Sequence, residues 1–328
     1  MSNTLSMYSK QRLEVSAIIL LYHGVTNHSS KGIENFSKKH LPYDEFKTQI
    51  RYLKNNANVM TLRKFTERLQ RQEALLPNSV AVTFDDSFRN IHDVALPVLK
   101  EYQVPATFFV STGFIGTNRL FWVDMVEHVI NMTRNNYIEI KLFGKMKGFS
   151  LVTPSEKITA VIEIKKALKQ MGPHKRNKIL SALRECTRVP DDSDPAPNYA
   201  NLSWEDVRNL DLPPYYEVGS HTVNHEVLST LDEELLHYEI EQSINDLERN
   251  LGHPVDLFSY PEGQSEHFND HVVDLLKQTG IKICPTAISG INYPGIDPFH
   301  LKRMMVGFMG EKFPFQMIGG GTKLRSLA

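Results

Sequence analysis

Asp85 and Asp86 stand side by side at the end of Ser79-Val80-Ala81-Val82-Thr83-Phe84, with a helical pattern of Val94, Leu96, Val98 and Leu99 behind them. The pattern puts both carboxylates where a buried strand empties into a loop, the position from which α/β folds do their chemistry. Neighbouring carboxylates in a half-buried loop repel one another until a cation or a proton relieves them. Capping of the following helix is the plainer role for an Asp at such a place. Far along the chain, His221-Thr222-Val223-Asn224-His225 follows a strand-like lead-in from Tyr215 to Val218. On a helical turn, histidines four apart share one face and can grip a divalent ion. Each pair alone has ordinary structural uses; an Asp pair and a His pair at two strand ends make a stronger case for one metal site.

Thr83-Phe84-Asp85-Asp86, the His221 to His225 motif and the later Phe258-Ser259-Tyr260-Pro261-Glu262-Gly263 resemble, in order and spacing, the first three motifs of the polysaccharide deacetylases, the NodB-homology group of carbohydrate esterases. The resemblance covers roughly residues 15–125 and 200–308. It implies an α/β fold, a distorted (β/α) barrel of about seven parallel strands, with a divalent metal and hydrolysis of an N-acyl or O-acyl group on a sugar.

Carried over residue by residue, it makes Asp86, His221 and His225 the metal ligands and Asp85 the base for the attacking water. The backbone N–H of Glu262, after the motif proline, becomes an oxyanion donor, with Tyr260 and Pro261 against the substrate. Two nitrogens and one oxygen suit Zn²⁺, with Co²⁺, Ni²⁺ or Fe²⁺ open. Tyr22-His23 is similar to a motif of permuted members that supplies their last histidine, so His23 is the candidate general acid. By itself, a histidine at a strand end beside a glycine is an ordinary core residue. One departure stands out: the usual third motif begins with an arginine that steadies the catalytic aspartate, and here Ser259 occupies that place. Arg303 on the terminal strand is the expected replacement, and His300 is a reserve for the acid.

These side chains need a scaffold. The 328 residues, 41% of them hydrophobic, allow one large domain with an insertion. A net charge of −1 gives no electrostatic case for nucleic acid or an anionic membrane. Cys186 and Cys284 are too few and too far apart for a disulfide framework. The polar N-terminus carries no long apolar run, and Val15 to Tyr22 is too short to span a bilayer, so a cytoplasmic protein with an intracellular substrate is expected.

The expected barrel occupies residues 10–312, with residues 313–328 as a tail opened by Gly319-Gly320-Gly321. Val15 to Leu21 is its first strand, residues 26–42 a loop over the mouth, and Tyr43 to Leu53 and Thr61 to Leu69 amphipathic helices, the second capped by Thr61. A helix from His92 to Tyr102 and a strand from Ala106 to Val110 complete a β-α-β unit. Later come a long helix from Leu231 to Leu251 closed by Gly252, and strands at Val255 to Tyr260, Ile281 to Pro285 and His300 to Val306.

Residues 117–200 fit the barrel period poorly and read as an inserted, mainly helical subdomain able to wall a substrate groove. It contains a short strand from Tyr137 to Phe143 and ends in a proline-rich linker from Pro190 to Asn198. Trp122 and Trp204 flank it. Either can stack on a sugar ring, although burial is the commoner use of a Trp. Lys165, Lys166, Lys169, Lys175, Arg176 and Lys178 read as the solvated face of two helices.

The expected activity is metal-dependent removal of an N-acetyl group from an amino sugar, on a glycan or on a lipid-linked or nucleotide-linked precursor. An O-acetyl esterase, a deformylase of a sugar lipid and a catalytically silent carbohydrate-binding barrel are the alternatives. Oligomeric state is left open.

Overall fold

The computed structural model describes residues 17–73, 75–190 and 196–318. Its strands are β1 (Ala17–Tyr22), β2 (Gly24–Thr26), β3 (His40–Pro42), β4 (Asn58–Val59), β5 (Ser79–Phe84), β6 (Ala106–Val110), β7 (Tyr137–Leu142), β8 (Lys145–Ser150), β9 (Tyr216–Ser220) and β10 (Met304–Met305). The main sheet has the order β10-β1-β5-β6-β9, with β4 also paired to β5. Every pairing within it is parallel. Every residue of β1, β5 and β6 is buried, as continuous apolar runs in a sheet covered on both faces should be.

Register then aligns the strand ends. Tyr22 pairs with Phe84, Phe84 with Phe108, and Phe108 with Val218, so His23, Asp85 and His221 all emerge at the carboxyl edge of the sheet. Gly219 permits the close approach of the next segment, because a Cβ there would come within 2.8 Å of both Leu257 and Phe109.

Beyond β9 the expected strands weaken. Val255 to Tyr260 and Ile281 to Pro285 make only single bridges, Ser220 with Phe258 and Leu257 with Ile283, and His300 to Val306 shrinks to the two residues of β10. Pro254, Pro261, Pro285 and Pro298 lie in and around these segments and remove ladder donors. The backbone stays extended and satisfies itself piecemeal: Ser259 N–H donates to Ser220, Thr286 N–H to Leu301 and Arg303 N–H to Ile288.

The expected helices form over Tyr43–Asn56 and Leu62–Gln70, and the Thr61 hydroxyl accepts from the Lys64 N–H at 3.2 Å. The helix after β5 starts with a π turn at Ile91–Ala95, so neither Asp85 nor Asp86 is its cap. The long helix spans Glu233–Leu251 with a π turn at Tyr238–Gln242, and Gly252 ends it at φ 80°.

Within residues 117–200, the helices Trp122–Met132, Pro154–Leu168 and Pro173–Thr187 pack with a β7–β8 hairpin. The sequence reading missed β8; Phe143 and Gly144, both at positive φ, make the tight turn before it. Val126, Ile130, Ile138, Phe149, Ile164 and Leu183 belong to a hydrophobic cluster separate from that around β1 and β5. Residues 10–16 at the expected start of the barrel, with Val15 and Ser16 of the expected first strand, residues 191–195 of the linker and the Gly319 to Gly321 run lie outside the described residues. The expected tail begins too early, because Phe313 is buried in the main core and Phe315 packs edge-on against Tyr52 at 4.9 Å.

Candidate active site

Asp86, His221 and His225 meet. One ligand atom from each lies within 4.8 Å of the others, and all three residues are buried. His225 Nε2 is 3.3 Å and His221 Nε2 3.9 Å from Asp86 Oδ1. His221 Nδ1 sits 2.7 Å from the Ser259 carbonyl, which fixes the proton on Nδ1 and turns a bare Nε2 lone pair toward the carboxylates.

The histidine motif is not helical, which corrects the sequence reading. Thr222 (φ 68°) and His225 (φ 56°) are left-handed, and the segment is a loop. Its rings meet edge-on with centroids 4.9 Å apart because the chain doubles back, aided by a 2.9 Å bond from the His225 N–H to Thr222 Oγ1. Glu239, in the π turn of the long helix, holds the loop from behind. It accepts from the N–H groups of Val223 (3.0 Å) and Asn224 (2.7 Å) and from the Asn224 amide at 2.7 Å. With Asp86 (φ 71°) and Glu262 (φ 61°), four non-glycine residues of the site are left-handed, a conformation that persists only where the surroundings hold it.

The donor set fits a divalent cation. Burial lowers His225 to about 4 and pushes His221 down too, so both rings are neutral and ready to ligate. Burial drives the Asp86 carboxyl up to about 7, the Asp124 and Asp85 charges adding to it against the pull of Lys39 and His221. A carboxylate that protein charges alone leave so uncomfortable, facing two imidazole lone pairs, is what a borderline cation relieves.

Asp85 is held differently. Arg303 donates to its two oxygens at 2.7 and 2.6 Å, and to Ser259 Oγ at 2.8 Å. The Ser259 hydroxyl donates a hydrogen bond to Asp85 at 3.3 Å, so the charge comes from Arg303 and the serine serves as a bridge. Burial pushes the Asp85 carboxyl up, but Arg303 and His221 outweigh it and hold it at about 2. Arg303 is in turn fixed by the Thr286 carbonyl at 2.6 Å and Thr83 at 3.3 Å.

His23 borders the same cavity, its Nδ1 buried without a hydrogen-bond partner among the described residues. Burial depresses it to about 3 against the pull of Asp85, so the resting ring is neutral. Glu262 borders the cavity too; its N–H has no partner among the described residues, and its carboxylate pairs with Lys169. Burial opposes that charge, but Lys169 and His225 keep the carboxyl at about 2.

Other expected residues lie elsewhere. Tyr260 does line the cavity, but its ring stacks on Phe268 at 4.2 Å and its hydroxyl is bonded to the Phe299 carbonyl at 3.2 Å, so what it offers the cavity is apolar surface. Pro261 is buried and outside the lining. Trp122 is buried in the hydrophobic cluster of residues 117–200, with the Arg176 guanidinium 5.1 Å from its ring, and lies outside the lining of this cavity. His300 is exposed, bound to Asp297 at 3.2 Å and outside the lining, so it does not serve as the acid.

The cavity, about 750 Å³, has a second set of charged walls that the sequence reading missed. Lys39 lies 4.0 Å from Asp86 and pairs with Asp124. Glu127 takes Lys165 at 3.3 Å and the Tyr199 hydroxyl. The basic run is therefore a solvated face only in part: Lys166, Lys175 and Lys178 are exposed, whereas Lys165 and Lys169 are paired toward the cavity and Arg176 is fully buried against Glu226. The available signal was Asp124 and Glu127 three apart on an otherwise apolar helix, where two acids on one face need partners.

The family model described as polysaccharide deacetylase matches residues 73–182 and 190–284, more than half of the chain. A poly-beta-1,6-N-acetyl-D-glucosamine N-deacetylase of Staphylococcus aureus is 34% identical over 126 residues, 34% of this chain and 42% of the relative. Its counterpart in Staphylococcus epidermidis is 37% identical over 115 residues, 31% of this chain and 38% of the relative. The matched stretch thus spans less than half the length of these curated relatives.

Among solved structures, the deacetylase PplD of Streptococcus pyogenes, in complex with acetate, superposes with a TM-score of 0.57 at 19% identity, covering 91% of this chain and 95% of that one. IcaB from Ammonifex degensii gives 0.56 at 19% identity, covering 92% and 94%. At that identity the likeness speaks for the fold. With the motif residues gathered at one edge of a parallel sheet and the family model matching across them, the chain belongs to the polysaccharide deacetylase family.

Proposed function

We propose that this chain hydrolyses the N-acetyl group of an amino sugar, in a glycan or a glycan precursor. The observation that carries the reading is the pairing of two unlike carboxylates. Asp86 faces two neutral imidazoles, and Asp85 beside it is clamped ionised by Arg303. The names of the staphylococcal relatives point the same way.

A divalent ion held by Asp86, His221 and His225, zinc first and cobalt, nickel or iron also suited, would polarise the acyl carbonyl and acidify the attacking water. Asp85 takes the proton of that water; Arg303 fixes its direction and keeps it available as an acceptor. The Glu262 N–H donates to the carbonyl oxygen as negative charge gathers there. His23, neutral at rest, has to gain a proton before it can hand one to the departing amine. Water adds to the carbonyl carbon, the C–N bond breaks, and acetate and a free amine leave.

In the same reading the fold is a distorted (β/α) barrel whose last wall is the singly bridged segments around Phe258, Ile283 and Met304. A lipid-linked or nucleotide-linked carrier and a cytoplasmic site of action complete the proposal. Free Cys186 and Cys284 suit the latter, and no helix among the described residues is long and apolar enough to cross a membrane.

The test is acetate release from N-acetylated amino-sugar substrates by metal-loaded protein, with O-acetyl and formyl analogues alongside. Release that chelator abolishes and zinc restores is expected. Metal uptake with binding but no acyl release from any substrate would replace this reading by a silent carbohydrate-binding barrel.

A further inference from the structure

Followed from contact to contact, the wall of the 750 Å³ cavity returns to its start. The Met309 N–H donates to the Ser37 carbonyl at 2.6 Å, and in the same segment the Asn35 N–H donates to Glu127 at 2.8 Å. Glu127 takes Lys165 on the neighbouring helix, and just past the end of that helix Lys169 pairs with Glu262. After Glu262, the Ala287 N–H donates to Gly263 at 2.9 Å and the Arg303 N–H to Ile288 at 3.0 Å. The chain then runs from Arg303 through β10 back to Met309.

Asn35, Ser37, Glu127, Lys169, Glu262 and Met309 all line the cavity, with Ala287 and Met305 completing the lining between Glu262 and Met309, while Gly263, Ile288 and Arg303 lie behind it. The strand ends bearing Asp85, Asp86 and His221 close the other side. An interior residue of a polysaccharide has a neighbour leaving on each side and needs a trough open at both ends. A terminal residue needs one opening, and a cavity of this volume is of the size that buries a small ligand.

Resting on the deacetylase reading, we infer that the cavity is a blind pit that takes one terminal N-acyl amino sugar end-on and turns away the interior residues of an extended chain. The inserted region sets that limit, because Glu127, Lys165 and Lys169 supply the side-chain links of the wall. The same geometry admits a single amino sugar on any carrier slim enough to leave through the mouth.

The experiment incubates the whole chain, loaded with zinc, with short oligomers and long chains of β-1,6-linked N-acetylglucosamine and with simple N-acetylglucosamine glycosides. Free amines are then located by fragmentation mass spectrometry. One amine per chain, on a terminal residue whatever the length, is expected. Amines at interior positions overturn the inference and leave the deacetylase reading standing. No acyl release from any of these substrates overturns that reading, and the inference with it. In Lys169→Ala the wall opens beside Glu262 and interior amines should appear; a pattern confined to the ends in this variant too would assign the selectivity to something other than the wall and overturn the inference.

Discussion

The strand ends and the helical region of residues 117–200 face the same cavity but are built on different principles. At the strand ends, Asp85, Asp86 and His221 are fixed by backbone register, and short, largely buried contacts support them: Arg303 on Asp85, the Ser259 carbonyl on His221, Glu239 on the histidine loop. Residues 117–200 have their own hydrophobic cluster and reach the cavity with the buried Asp124 and Glu127 and with the longer Lys165 and Lys169, of which the Lys169–Glu262 pair is the one most open to water. Rigid, desolvated groups suit chemistry, because they keep charge where the reaction needs it. Flexible, half-solvated pairs suit selection, because changing them costs little stability. The first region should therefore control turnover, and the second should control which sugars get in.

The largest effect is expected at the metal ligands. Asp86→Ala should leave the protein folded but without metal by elemental analysis, and acetate release should fall by roughly 1,000-fold or more, since several kcal/mol of transition-state stabilisation go with the ion. Retention of stoichiometric metal by this variant would remove the basis for the comparison.

Next comes Arg303→Met. It leaves a buried carboxylate without its partner, at a cost of about 3–5 kcal/mol in unfolding free energy. With the guanidinium gone, burial is left to dominate and Asp85 rises from about 2. Asp85 is then protonated at higher pH, so the acid limb of kcat/KM moves upward, whereas a purely structural arginine would lower stability and leave that limb in place.

A smaller effect concerns metal loading. In the metal-free protein Asp86 holds its proton up to about pH 7, so below that pH the cation must displace it. Affinity should fall about tenfold per pH unit under pH 7 and level off above it, measured by competition with a chromogenic chelator. A flat profile from pH 5.5 to 7 would mean that Asp86 is already ionised.

The smallest belongs to residues 117–200. Lys169→Ala removes a pair whose lysine is 36% exposed, so stability should change by no more than about 1 kcal/mol. With a simple glycoside, kcat should change less than with Arg303→Met, the substrate pattern changing instead. A loss of kcat as deep as that of Arg303→Met would erase the division between the two regions.

The difference also explains what could be read in advance. Asp85, Asp86, His221 and His225 belong to compact motifs on or beside strongly apolar strands, so type and spacing pointed to them directly. Arg303 was reachable only as the answer to a missing charge at Ser259. Trp122 and His300 were misjudged because an aromatic or a histidine near a motif looks the same in sequence whether it faces the core, the solvent or the cavity. The left-handed turns at Thr222 and His225 carry no glycine or asparagine to announce them. Glu239 sits in a helix whose periodicity gives no hint of the loop it holds.

By itself the sequence determined the central strands β1, β5 and β6, their burial and the two motif pairs, because those depend on local patterns of apolar and polar residues that the backbone must respect. The tertiary structure decided which charges meet: Arg303 with Asp85, Lys169 with Glu262, Lys39 with Asp124. Such pairs join residues far apart in the chain, and no local pattern fixes the partner of a long charged side chain until packing brings one within reach and excludes the water that would otherwise solvate it.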